Sequence, residues 1–520
     1  MRILPYILTA AVAFAAKPTQ SVSIKSSQLE VVLDPLKGLP VEYRLGSKAT
    51  MRGGVSSEVT VTIFRSNPPR YTNYAVRPEV IRATKSHADF QFIVREKGAP
   101  MASFMVRYDL TGAELDVSLE AVLEEAGFEL MDVGLADLAE VSDQDASAWL
   151  SHGEGGGTLA WLKTAKDGHI GPTPTLPIVM IGANRMLCVE EVLSPSDTAA
   201  LAVEHHQARL GTVKVWRVKG ESANRLIGGR PLCRLDFSGD VDRNGSVDWL
   251  DGAKLVRSRM PQIPSHELDD KVMYAVAAGA DAAKIERSVK MLTGGAPLST
   301  LALPGDLRYA SIGKFAATAH GPSGEISPFG GEAIPLTAAI YRKSAIWGLR
   351  GEEWKKQPEL NSFFYNGRDI PVLGGDDWER QFAAFYYGIL VPWYQVHDRN
   401  IEAYLRDGDR TVLSLEGNSR IDLDWKTDQY SIAVAGVEIA RDGDTVCPIG
   451  QDRVAFYSHA AKTFSAPIPD GWDANAVVAM TLFADKPERT PVSTRDGKLT
   501  VSVQPERPVM VYRDAQAVPR

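Results

Sequence analysis

From Ser21 to about Phe237, apolar and polar residues alternate with a period of two, the pattern of strands that bury one face and wet the other. Ser21–Leu33, Glu58–Phe64, Asp89–Val94, Met101–Tyr108 and Glu114–Leu123 carry it most clearly, punctuated by Lys37-Gly38, Gly98-Ala99-Pro100 and Thr111-Gly112. Ile178–Ile181, Met186–Val192 and Thr212–Val218 extend the series. This run of strands predicts a large antiparallel β-sandwich. Ser151–Gly157 (S-H-G-E-G-G-G) reads as an exposed turn on which His152 and Glu154 could reach a ligand.

The period then changes. Lys271–Ala277 is a strand-like apolar run, Asp281 is placed to cap a helix over Ala282–Thr293, and Gly294-Gly295 ends that helix ahead of Leu298–Leu303. Strand, helix and strand in so short a span form a βαβ unit, so α/β architecture begins here. Leu307–Gly331 is rich in Gly, Ala and Ser and shows little periodicity. Ile334–Ile340 reads as a strand. Asp377–Val396 reads as an aromatic-rich helix whose rings could line a sugar site but at this spacing fit a core. From about Arg399 the period of two returns, and about eight strands predict a C-terminal β-sandwich.

The chain has 520 residues, 44% hydrophobic and 23% charged, enough for several domains with ample core. A formal charge of -8 without a Lys/Arg cluster gives no footprint for nucleic acid. Residues 1–16 join Arg2, a short apolar stretch and a small-residue Ala13-Phe14-Ala15 site. This pattern predicts a signal peptide and a secreted or periplasmic mature protein. No apolar run reaches the roughly 18 residues of a transmembrane helix. Cys188, Cys233 and Cys447 read as small buried thiols, although a Cys188–Cys233 bridge is open to an exported chain.

Asp240–Asp251 (D-V-D-R-N-G-S-V-D-W-L-D) carries the most specific chemistry. Counted from Asp240, side-chain oxygens fall at the first, third, fifth, ninth and twelfth positions: Asp240, Asp242, Asn244, Asp248 and Asp251. Gly245 stands where the loop must turn, and Ser246 offers its backbone carbonyl. This is the spacing that wraps a short loop around Ca2+, a hard cation that takes 6–8 oxygens. Gly252–Met260 follows as an exit helix, with Ala253, Val256 and Met260 on one face. An Asp at the last position is closer to the dockerin variant of the loop. A dockerin usually has two such loops, however, and the sequence shows one.

Val247-Asp248-Trp249-Leu250-Asp251-Gly252-Ala253 is similar to the V-D-W-Q-D-G-A segment of the glycoside hydrolases related to endo-α-N-acetylgalactosaminidase, families 101 and 129. Lys271–Ala277 and Ala283–Pro304 resemble that family's first barrel strand and its following helix and strand. Ile334–Tyr341 resembles a late barrel strand, and Phe385–Gln395 the final helix. The resemblance implies an N-terminal mutarotase-like β-sandwich over 21–237, a calcium-loop segment with a (β/α) barrel over 238–398, and a C-terminal β-sandwich over 399–520. It implies an exported protein acting on α-linked N-acetylgalactosamine glycans. The span from Lys271 to Gln395 is only about 125 residues, whereas a (β/α)8 barrel takes at least about 200, so the barrel is expected to be reduced or partial.

A retaining glycosidase needs two carboxyl groups about 5–5.5 Å apart. The family's nucleophilic Asp on a V-D-V-Y-type strand has no counterpart here. The remaining candidates are Asp306, at a position where relatives bind substrate, and Glu325, in a segment resembling the acid/base loop. Asp376, Asp377 and Glu379 read as a helix-start cluster. The shortened middle leaves open a second expectation, a non-catalytic glycan-binding or scaffold protein that lost the barrel core.

Overall fold

A computed structural model of the chain describes residues 21–518 apart from 48, 55–56, 154–156, 171–177, 184, 195–196, 221–222, 258, 260–270, 277–278, 295–298, 304–328, 341–371, 376, 397–398, 425 and 428. The chain forms two compact units. One ends at Asp248 and omits Ser151–Ala160; the other comprises that short segment and the chain from Trp249 onward.

The first unit is all β. A ten-stranded antiparallel sheet includes the neighbours Val22–Lys25, Leu29–Asp34, Leu39–Leu45 and Ala49–Arg52, then Phe128–Ser142, Gln207–Val215 and Asp197–Glu204. A second sheet runs Ile178–Ala183, Met186–Val192, Pro231–Ser238, Glu114–Glu124, Ala99–Thr111, His87–Glu96 and Pro78–Ala83. The sheets meet face to face: Tyr43 of the first packs at a tilt against Phe237 of the second, with ring centroids 4.3 Å apart. Inward positions of Ala99–Thr111 and Glu114–Glu124 alternate as the sequence predicts, with Phe104, Val106, Tyr108, Leu115, Val117 and Leu119 buried.

Two local expectations are corrected in the chain's first part. Ser21–Leu33 is a hairpin rather than one strand, because the Ser26 hydroxyl accepts from the Gln28 and Leu29 amides and turns the chain. Ser151 and His152 are not on an exposed turn. They end the Trp149–His152 strand and are buried. Glu154 lies outside the described residues.

The second unit holds helices and both sheet types. Lys271–Val276 pairs in parallel with Ser299–Leu303 on one side and with Val372–Leu373 on the other. Between the first two runs the Ala282–Leu292 helix, capped by Asp281 accepting from the Lys284 amide at 3.0 Å. This βαβ unit matches the sequence expectation, including its stop at the left-handed Gly294. Ile334–Ile340 is corrected: Leu336–Ile340 is a single helical turn. Pro335 supplies a pre-set φ at its start, and its carbonyl accepts from Ala339 at 2.9 Å. Among the described residues the parallel sheet has the order Ser299–Leu303, Lys271–Val276, Val372–Leu373.

Trp378–Tyr394 is one helical run with a π turn at Tyr386–Leu390. Phe382, Tyr386 and Tyr387 are buried, so most of its aromatics form core, whereas Trp378 stays partly exposed. The C-terminal part is a ten-stranded sheet from Ile401–Asp407 to Glu488–Thr490. A three-stranded sheet of Lys462–Pro467, Lys498–Val503 and Val492–Arg495 packs on it through Phe456, Phe464, Leu499, Val501 and Val511. No helix among the described residues is long and apolar enough to cross a membrane.

The first unit's interior contains charge. Lys214 Nζ lies 2.6 Å from Asp197 Oδ1, with both side chains wholly buried, and the two residues stand directly opposite each other on neighbouring strands. Glu190 is also fully buried. Burial drives its carboxyl well above the ordinary 4.5. Cys188, Cys233 and Cys447 are free and buried.

Removing one member of such a pair strands the other in a medium that cannot solvate it, so Lys214→Met is expected to cost about 3–5 kcal/mol in denaturant unfolding. The Lys214→Met/Asp197→Leu double variant is expected to recover most of that loss. Glu190 binds its proton more tightly folded than unfolded. Its contribution is therefore complete below about pH 4.5 and is lost as pH rises toward the elevated folded value. Glu190→Gln should raise the melting temperature at pH 8 and leave it nearly unchanged at pH 4.5.

Candidate functional site

The Asp240–Asp251 stretch opens as a loop closed by its own side chains. Asp240 receives the Asn244 amide at 3.0 Å on one oxygen and the Gly245 amide at 2.8 Å on the other, and Asp242 receives the Asn244 amide at 3.2 Å. Gly245 turns the chain at φ 95°, where a side chain would be strained. Asn244 Oδ1 accepts from the Ser246 amide and hydroxyl at 2.8 and 2.7 Å. Partial burial works against the Asp240 charge, but backbone donors from Gly245, Asn244 and Arg243 outweigh it and lower its pKa.

Trp149 donates its indole N–H to the Val247 carbonyl at 3.0 Å, fixing the loop just before its helix. That helix, Trp249–Arg257, starts earlier than the Gly252 start expected from sequence, which places Asp251 in its first turn, fully buried. Trp249, Ala253 and Val256 form its buried face, and Met260 lies outside the described residues. Trp249 meets Tyr404 edge-on at 5.4 Å. Arg257 donates to the Ala339 and Ile401 carbonyls at 2.7 and 3.0 Å, and Lys254 donates to the Glu402 carbonyl at 2.6 Å.

Carboxylate oxygens of Asp240, Asp242 and Asp251 all lie within 4.8 Å of one another. Three acidic groups crowded this closely, one of them out of water, repel each other unless a cation or protons intervene. The donor set is all oxygen, which suits a hard divalent ion. Asp248 stands outside this triad.

The other sequence candidates fare differently. Asp306 and Glu325 lie outside the described residues. His152 is buried, edge-on to Phe329 at 6.0 Å, and burial pushes its pKa down to about 4, so it is neutral at physiological pH. Asp377 precedes the Trp378–Phe385 helix in a left-handed conformation and makes no side-chain cap bond. The sequence reading missed a groove beside this helix. Ala280 and Asp281 follow the carboxyl end of Lys271–Val276, and Gly374 and Trp378 follow that of Val372–Leu373. The four share a cavity of about 740 Å³ with Phe483 and Arg507. Trp378 shares its helix with core aromatics, and periodicity alone does not set it apart.

This fold is similar to that of a solved α-N-acetylgalactosaminidase. The chain is similar to the α-N-acetylgalactosaminidase NagBb from Bifidobacterium bifidum in complex with GalNAc. The TM-score is 0.51 at 10% identity, over 80% of this chain and 100% of that one. The same enzyme in complex with Gal-NHAc-DNJ gives 0.51 at 10% identity, over 79% and 100%. A galactose mutarotase related enzyme from Lactobacillus acidophilus matches over 44% of this chain and 100% of its own, at 10% identity and a TM-score of 0.31. No protein-family model and no curated protein matches the sequence.

Proposed function

We propose that the chain is an exported, calcium-binding, carbohydrate-active protein that acts on α-linked N-acetylgalactosamine glycans. The observation that carries this reading is the likeness to an α-N-acetylgalactosaminidase over four-fifths of the chain. It is supported by the βαβ unit flanked by a further parallel strand and by a β-rich C-terminal part. In this reading Asp240, Asp242, Asn244, Ser246, Asp248 and Asp251 hold Ca2+, with Ser246 contributing its backbone carbonyl. Asp306 and Glu325 are the candidates for the carboxyl groups of a double displacement. Residues 1–16 direct export.

The span of about 125 residues from Lys271 to Gln395, too short for a full (β/α)8 barrel, favours a second reading in which the chain binds glycans without cleaving them.

Calcium at one hundred times its dissociation constant should stabilise the protein by about 2.7 kcal/mol, read as a rise in melting temperature that chelator reverses and Asp251→Asn abolishes. An unchanged melting temperature in the parent protein would remove calcium from the proposal. Purified protein with calcium is expected to hydrolyse an aryl α-N-acetylgalactosaminide, and Glu325→Gln or Asp306→Asn to abolish turnover. Absence of turnover with the fold intact would favour the binding-only reading.

A further inference from the structure

We propose that the groove between the Ala282–Leu292 helix, the Trp378–Phe385 helix and the segment around Phe483 is a binding site for a neutral saccharide, with Trp378 as its stacking platform. This inference rests on the reading of the chain as carbohydrate-active and names the ligand class of one groove within it.

The cavity, about 740 Å³, falls in the range of small-molecule sites, roughly 300–1,000 Å³. It opens where two neighbouring parallel strands end, the side on which α/β sheets bind ligands: Asp281 follows one strand and Trp378 the other. Trp378 is partly exposed on the groove wall. Met291, 41% exposed, adds apolar surface to the same wall. An aromatic plane with adjoining apolar surface is what the C–H face of a pyranose needs, since that face loses no hydrogen bonds on burial.

The charges decide the ligand class. Lys284, Arg287 and Arg507 oppose Asp281, Glu379 and Asp485, so among the described residues the lining balances its charges and favours neither an anion nor a cation. Arg507 and Glu379 approach at 3.4 Å and largely satisfy each other, with the Arg507 guanidinium 5.0 Å from the centre of the Phe483 ring. Among the described residues Lys284 and Arg287 make no ion pair, which leaves their donors for a ligand. Asp281 and Asp485 accept backbone amides, from Lys284 at 3.0 Å and Lys486 at 2.9 Å, through one oxygen each and keep the other. Unspent donors and acceptors side by side, around an aromatic plane, match the vicinal hydroxyls of a neutral sugar.

The test is calorimetric titration of the whole protein with the methyl glycosides of galactose, glucose, mannose, N-acetylgalactosamine and N-acetylglucosamine, with galacturonic acid as the charged comparison. At least one neutral glycoside should bind saturably and more tightly than galacturonic acid. Trp378→Ala and the Lys284→Ala/Arg287→Ala pair should each weaken it about ten-fold or more, and Trp378→Phe should retain most of the affinity, all at unchanged melting temperature. The proposal is overturned if none of the neutral glycosides binds, if binding is the same in folded Trp378→Ala, or if galacturonic acid binds most tightly. Hydrolysis reads Asp306 and Glu325 whereas this titration reads Trp378, so either reading can fail while the other stands.

Discussion

In the second unit, helical segments rest on the C-terminal sheet through backbone carbonyls that regular structure leaves unpaired. The Ala282–Leu292 helix ends in the interior, where its last carbonyls have no helical partner. Tyr387 donates its hydroxyl to the Leu292 carbonyl at 2.8 Å, and Tyr512 donates to the Gly294 carbonyl at 2.9 Å. The π turn at Tyr386–Leu390 frees further acceptors, and Thr445 answers the Tyr387 carbonyl at 2.8 Å while Tyr430 answers that of Gly388. A buried carbonyl without a donor costs free energy comparable to a lost hydrogen bond, so these hydroxyls fix where the helices can sit. The groove beside Trp378 depends on that seating, because its walls are these helices and the strand end that reaches Phe483.

Much of this was legible in the sequence wherever a local rule decides the outcome. The Asp281 cap and Gly294 stop bracket a helix because a carboxylate oxygen and a left-handed glycine satisfy orphan backbone groups in any context. Spacing in Asp240–Asp251 was equally readable, since oxygens at fixed offsets around Gly245 specify a curled loop before any tertiary contact forms. Ile334–Ile340 was not, because five mostly apolar residues after a proline suit either a short strand or one helical turn. Ser151-His152 looked like surface because Gly-rich sequence follows it. Burial there is set by packing against residues such as Phe329, far along the chain. The hydroxyl donors were hidden for a related reason: alternation counts Tyr387, Tyr430 and Tyr512 as apolar and says nothing of where an O–H points.

The candidate site divides along the same line. The acidic loop is local chemistry, and its three converging carboxylates follow from its own backbone. The groove is assembled from three distant stretches, each bland by itself. Lys284 and Arg287 read as an ordinary wet helix face, and Trp378 as one aromatic among many. The parallel pairing of Lys271–Val276 with Val372–Leu373 brings their elements together.

The opposed Lys214 and Asp197 bear on how the first unit finds its strand alignment. Sliding Gln207–Val215 by one residue along Asp197–Glu204 would turn Lys214 to the outer face of its sheet and part it from Asp197. An apolar pair at those positions would tolerate the slip far better, since many inward residues here are interchangeable aliphatics. A slip of this alignment would thus cost the ion pair, an error that hydrophobicity alone would let pass.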